Sequence, residues 1–128
     1  MFAGYLSYLI HALLLIPIAA LLPAAMGMTE TGGRNAMLFG GLAGFAKTLG
    51  IMRWIFLMPG LAAAYAAPGA TEAAQSAIAV VYEAFNAYAG GVGEIPGVSL
   101  FAGVWTLILS AALLRRSGGR RKSLWLPR

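Results

Sequence analysis

The sequence contains no cysteine and no aspartate, only four acidic residues in all and a single histidine. The missing cysteines exclude disulfides and thiolate metal sites. The missing aspartates and lone histidine leave little material for acid–base catalysis, and no metal-ligand spacing or nucleophile elbow is present. Charge of either sign is scarce as well. Charged residues make up 10% of the chain, against about 25% in soluble globular proteins. What fills the space is apolar: 60% of residues are hydrophobic and the mean hydropathy is +0.79. Long apolar stretches with few charges define membrane-spanning helices. At 13.3 kDa the chain is one domain. The net charge of +5 is concentrated in a tail after the last apolar segment. There it sets topology and contacts anionic lipid headgroups rather than nucleic acid.

Read along the chain, the pattern predicts an all-α integral membrane four-helix bundle. Its helices span about 3–26, 36–66, 71–94 and 98–114, forming a transmembrane domain over 1–114 with a basic cytoplasmic tail over 115–128. The first segment carries Tyr5 and Tyr8 where aromatic belts belong, with Pro17 and Pro23 inside it. TETGGRN, residues 29–35, reads as a polar turn. The second segment is too long for a perpendicular span and is expected to kink at Pro59. Ala36, Gly40, Gly44 and Thr48 recur every fourth residue along it, a small-residue stripe that lets another helix approach closely. Pro68-Gly69 makes a tight turn, after which Thr71 caps the third segment and Glu72 suits its positive end. GGVGEIPG, residues 90–97, reads as a second turn. It is not a phosphate loop, because no lysine follows its glycines.

The basic tail predicts a cytoplasmic C-terminus. With four spans the N-terminus is cytoplasmic as well, and the turns at 27–35 and 90–97 face outward. If the third segment instead lies on the membrane surface, three spans remain and the N-terminus changes sides.

Lys47 and Arg53 fall inside an apolar span, where a lone cation costs about 2.5–3.5 kcal/mol on insertion scales. Glu72, Glu83 and Glu94 are spaced by eleven residues, which returns each to one stripe of a helix. Arg53 lies fifteen residues before Pro68 and Glu83 fifteen after it. Equal rise in antiparallel helices therefore predicts an Arg53–Glu83 ion pair, with Asn86 adding a hydrogen bond and Lys47 in reach of Glu94. A structural clamp is the first reading of this cluster; a proton or ion path along the glutamates is the second.

His11 reads as a histidine bonded to a neighbouring helix. The alternative is a single axial ligand to a tetrapyrrole; no other cofactor is expected. Arg115, Arg116, Arg120, Arg121 and Lys122, with Trp125 beyond them, combine charge with an apolar anchor. That suits anionic headgroups or a partner protein.

The runs GLAGFAKTLGIMRWIFLMPGLAAAYA and VYEAFNAYAGGVGE, followed by a tryptophan-bearing last segment, resemble a bacterial multi-span membrane family of unknown function. The matching positions are Arg53, Trp54, Pro59, Leu61, Ala62, Gly93 and Glu94, within a resemblance over residues 36 to 114. The chain departs from the family by its short N-terminal part and by GEIPG after the glutamate motif. The resemblance implies a multi-pass protein of the bacterial inner membrane and brings no activity with it.

The resulting expectation is a small non-enzymatic membrane protein, an accessory or scaffold subunit that meets other membrane subunits or itself. The alternative is a small proton- or ion-coupled transporter or channel using Glu83 or Glu94 as a homo-oligomer.

Overall fold

The computed structural model describes the backbone of residues 2–123 and the side chains of residues 3–117. Every regular element among them is helical: α1 (Phe2–Ala25), α2 (Glu30–Met52), α3 (Met58–Tyr65), α4 (Glu72–Val92) and α5 (Ala102–Ser123). Two wide segments, Arg53–Leu57 and Gly93–Phe101, join α2 to α3 and α4 to α5. Their carbonyls are reached from five residues on, as Met58 N–H bonds Arg53 O and Ala102 N–H bonds Gly97 O. The chain is thus three continuous rods, Phe2–Ala25, Glu30–Tyr65 and Glu72–Ser123.

This corrects the four-helix count. GGVGEIPG does not turn; it continues the helix. Pro96 has no N–H to give and its ring crowds the carbonyl four residues back. A locally widened turn absorbs that defect without breaking the rod. The glycines serve another end, described below. The second helix also begins earlier than residue 36. Thr29 caps it, its hydroxyl accepting from Gly32 N at 3.3 Å, so TETGGRN is a cap and a first turn rather than a loop. Replacing Thr29 by valine keeps the volume and removes the acceptor. A loss of about 1 kcal/mol in unfolding free energy is expected, read as a lower melting temperature; an unchanged value refutes the cap.

The two connections are short and chemically explicit. Gly27 takes φ +56°. Gly27 N bonds Ala24 O at 2.9 Å and Met28 N bonds Pro23 O at 3.1 Å. This is a Schellman ending, and it needs the left-handed conformation that glycine supplies. At the other end Gly69 takes φ +85° after Pro68, and Thr71 Oγ1 accepts from Ala74 N at 3.2 Å. Gln75 Nε2 donates to Tyr65 O at 3.2 Å, closing the carbonyl end of α3.

The second and third rods form a long antiparallel hairpin about Pro68-Gly69. Phe39 meets Phe101 with ring centroids 6.3 Å apart, Gly40 meets Trp105, and Gly50 meets Gly93. α1 returns antiparallel along the first part of α2, from Pro23 against Gly33 to Tyr5 against Trp54. The end of the hairpin, from about residue 57 to about residue 80, therefore extends past the start of α1. Arg116 Nη1 donates to Met26 O at 2.7 Å, so the basic end of α5 lies beside the 26–29 turn. That places this turn at the same end as the tail, against the four-span threading. α5 itself runs on through Arg115 and Arg116 rather than ending at residue 114.

Little is buried. Among the described residues the apolar core is Ala12, Leu15, Ala19, Ala36, Ala43, Ala46 and Met58, and no large side chain is fully enclosed. Contact is made by small residues at close range. A Cβ on Gly40 would stand 2.5 Å from Ala19 Cβ, and one on Gly44 2.7 Å from Ile16 Cγ1. Close approach of this kind gains dispersion rather than water release. The large apolar side chains point outward: Leu21, Leu107 and Leu114 are each at least 70% exposed. The segments Ala3–Ala25, Glu30–Tyr65 and Glu72–Ser117 are each long and apolar enough to cross a membrane.

Candidate functional site

Lys47 and Arg53, the two cations midway along the second rod, converge on one cleft of about 210 Å³ where all three rods meet. Lys47, Arg53 and Trp54 line it from the second rod, Glu94 and Gly90 from the third, Tyr5 and Tyr8 from α1. Arg53 opens the wide segment. Helical side chains lean toward their own N-terminus, and Arg53 does so: Nη1 donates to Gly50 O at 3.1 Å. Opposite it, Gly90 makes room. A Cβ there would stand 3.1 Å from Nη2 and 3.3 Å from Nη1. Arg53 Cζ also lies 5.6 Å from the Trp54 ring centroid, within cation–π range. Its Nε is buried and has no hydrogen-bond partner.

An aromatic wall backs the guanidinium. Tyr5 stacks on Trp54 at 5.2 Å and 10°, and Tyr82 meets the same indole edge-on at 6.3 Å and 81°. Tyr8 continues the wall toward His11, 6.3 Å between rings.

The structure does not bring Arg53 and Glu83 together. Among the described residues no cation lies within ion-pairing distance, 4.0 Å, of a carboxylate. Backbone register accounts for this. Gly50 lies on Gly93 and Ala46 on Gly97, so the backbone of Arg53 stands opposite Gly90 and not opposite Glu83. Helical rise is equal in the two rods, but the hairpin does not pivot at Pro68, because the chain between Tyr65 and Glu72 lies outside both helices. Side-chain direction widens the gap: Arg53 folds back toward Gly50, and Glu83, on the antiparallel rod, leans toward the Pro68 turn. Glu72, Glu83 and Glu94 all lie on an exposed stripe, each one residue beyond Thr71, Tyr82 and Gly93 respectively. Asn86 is half-buried, and its Oδ1 has no partner. Of the expected cluster, Lys47, Arg53 and Glu94 share the cleft while Glu83 and Asn86 are not among its lining.

The predicted stripe on α2 faces α1: Ala36 is fully buried, Gly40 and Gly44 touch Ala19, Ile16 and Ala12, and Thr48 Oγ1 donates to Gly44 O at 2.8 Å. α2 has a second small-residue face that the four-residue pattern does not reveal. Ala46 and Gly50 lie on Gly97 and Gly93, and a Cβ on Gly50 would stand 2.8 Å from Gly93 Cα. The glycines of GGVGEIPG are therefore contact points. Their signal in the sequence is the pairing of Gly93 and Gly97 four apart with Ala46 and Gly50 four apart.

His11 is exposed on α1 and makes no hydrogen bond to a neighbouring helix among the described residues. Arg115 and Arg116 line a second cavity, about 610 Å³, between α5 and the start of α2. The side chains of Arg120, Arg121 and Lys122, and all of Trp125, lie outside the described residues. The aromatic wall is what residue-type reasoning missed. Tyr5 and Trp54 lie at comparable distances on either side of the 26–29 turn, and that count would have paired them.

No protein-family model, curated protein or solved structure matches this chain.

Proposed function

We propose that this chain is a non-enzymatic integral membrane protein that serves as a helical subunit, binding another membrane helix along the free part of its hairpin. The carrying observation is the unequal length of the rods. α1 covers α2 only as far as Trp54. Beyond it, Leu61, Ala62, Tyr65, Ile78, Ala79 and Tyr82 line an apolar groove of about 370 Å³ between the two arms. A second rod of 36 residues is about 54 Å long, longer than the apolar core of about 30 Å that it would cross. Its surplus beyond Trp54 carries exposed Phe56 and Tyr65, with Val80 exposed on the third rod beside it, an apolar surface that contact with a partner helix would cover. With the tail on the cytoplasmic side, three spans put the N-terminus on the other side. The resemblance to a bacterial multi-span family is consistent with an inner-membrane location.

A photo-cross-linking residue at Ala62 is expected to join the protein to another membrane polypeptide, or to a second copy, in native membranes. The same residue at Leu107 should capture lipid only. If Ala62 captures no polypeptide and the purified protein is monomeric, the subunit reading fails. The transporter reading keeps one observation in its favour: the glutamate stripe borders the packing seam, where a second copy would cover it. A defined homo-oligomer whose ion flux is lost on Glu83→Gln would favour it.

A further inference from the structure

The cleft between the rods carries an unbalanced charge. Lys47 and Arg53 supply two cations and Glu94 one carboxylate, so one positive charge is in surplus. Neither cation is in an ion pair among the described residues. Arg53 commits Nη1 to Gly50 O and keeps Nε buried without an acceptor. A guanidinium has five N–H donors in a planar fork that matches an oxyanion. An unsatisfied buried donor on a charged group is costly, so the cleft is chemically incomplete without an acceptor.

The walls say where that acceptor comes from. Tyr5 and Tyr8 occupy the first two turns of α1, and Trp54 and Tyr82 stand beside them. On the membrane reading above, this is the depth at which tyrosine and tryptophan rings settle among headgroups. Ile95, 69% exposed, and Val98, 42% exposed, follow Glu94 toward the middle of the bundle. They leave apolar surface for an acyl chain near the level of Lys47, whose backbone meets Gly97. We infer that the cleft is a binding site for the phosphodiester headgroup of an acidic phospholipid, held between Arg53 and Lys47. The single negative charge of that group matches the surplus. This site is separate from Arg115 and Arg116, which lie at the opposite end of α1 beside Met26.

The inference rests on the membrane reading, and the test separates the two. The full chain, purified in a neutral detergent, is titrated with phosphatidylglycerol, phosphatidylcholine or inorganic phosphate, and read by native mass spectrometry and thermal unfolding. Phosphatidylglycerol is expected to bind and raise the melting temperature, phosphatidylcholine to do neither. Lys47→Gln, which removes no hydrogen bond of the fold, should weaken phosphatidylglycerol binding by about tenfold. Arg53→Lys should weaken it by a similar factor, since it keeps the charge and loses the fork. The double variant Arg115→Gln/Arg116→Gln should retain the Lys47-dependent binding. Equal binding of both lipids, or indifference to Lys47→Gln and Arg53→Lys alike, overturns the site. Protection by inorganic phosphate equal to that by phosphatidylglycerol keeps the oxyanion chemistry and overturns the lipid source. Recovery of the chain from the soluble fraction of lysed cells overturns the membrane reading, and this inference with it.

Discussion

Gly50→Leu is expected to abolish recovery of folded protein, whereas Gly41→Leu, nine residues earlier on the same helix, should leave it intact. The difference lies in what each missing side chain would meet. At Gly50 a single Cβ already stands 2.8 Å from Gly93 Cα and 3.1 Å from Ala89 O. Both are backbone atoms, so no rotamer change relieves the clash; the rods must part. At Gly41 nothing lies within 4 Å. Overpacking a well-fitted contact costs about 1–3 kcal/mol for small additions. Here the addition is a whole isobutyl group at the point where two helices touch, and the buried core that would resist separation is mostly alanine. Gly50→Ala gives the graded version: about 1–3 kcal/mol lost, despite the gain in helix propensity that alanine brings. Yield of monodisperse protein after detergent extraction, followed by a melting curve, measures both. Similar behaviour of the Gly50 and Gly41 leucine variants would show that the rods are not held at this crossing.

The second large effect is all-or-none. The absence of native cysteine makes single-cysteine labelling clean. Thr31→Cys and Ser117→Cys should react with an impermeant thiol reagent from the same face of the membrane, and Ala67→Cys only from the other. The reason is the Arg116–Met26 hydrogen bond, which sets the start of α2 and the end of α5 at one end of the bundle. The Pro68 turn is at the far end, a full hairpin away. On the membrane reading proposed above, the basic excess on α5 makes the first face the cytoplasmic one. If Thr31→Cys and Ser117→Cys label from opposite faces, the third rod is broken in the membrane and the four-helix threading returns. If all three label from one face, no rod crosses.

What could be read from residues alone was governed by local chemistry. Pro68-Gly69 as a turn, Thr71 as a cap and the helical character of every long segment depend on neighbours in sequence, and these stand as expected. The kink expected at Pro59 is not among them: the departure from α-helical geometry is a wider turn over Arg53–Leu57, ahead of the proline, and α3 is regular through Pro59. GGVGEIPG went the other way because glycine has two uses that look alike in a sequence. It frees a backbone to turn, and it lets two backbones touch. Gly69 does the first, with φ +85°; Gly93, lying on Gly50, does the second. Only the partner helix tells them apart. The site was half legible for a similar reason. The depth count set Lys47 in reach of Glu94, and both line the cleft; it set Arg53 level with Glu83 because it pivoted the hairpin at Pro68, and the register of Gly50 on Gly93 brings Arg53 to Gly90 instead. The direction in which Arg53 leans, and the ring of Tyr5 that α1 lays over Trp54, depend on tertiary placement that counting along a helix does not supply.

The step in thickness left by the short first rod has a consequence for how the molecule opens. Near the 26–29 turn the second rod has a helix on either side, α1 and α5; past Trp54 the arms of the hairpin have only each other. Local stability follows the number of neighbours, so breathing should start at the Pro68 tip and run inward. It meets its first firm barrier at the Arg53–Trp54–Tyr5 layer. The thin end can then loosen, exchange what it touches and close again while the tripled end keeps its shape.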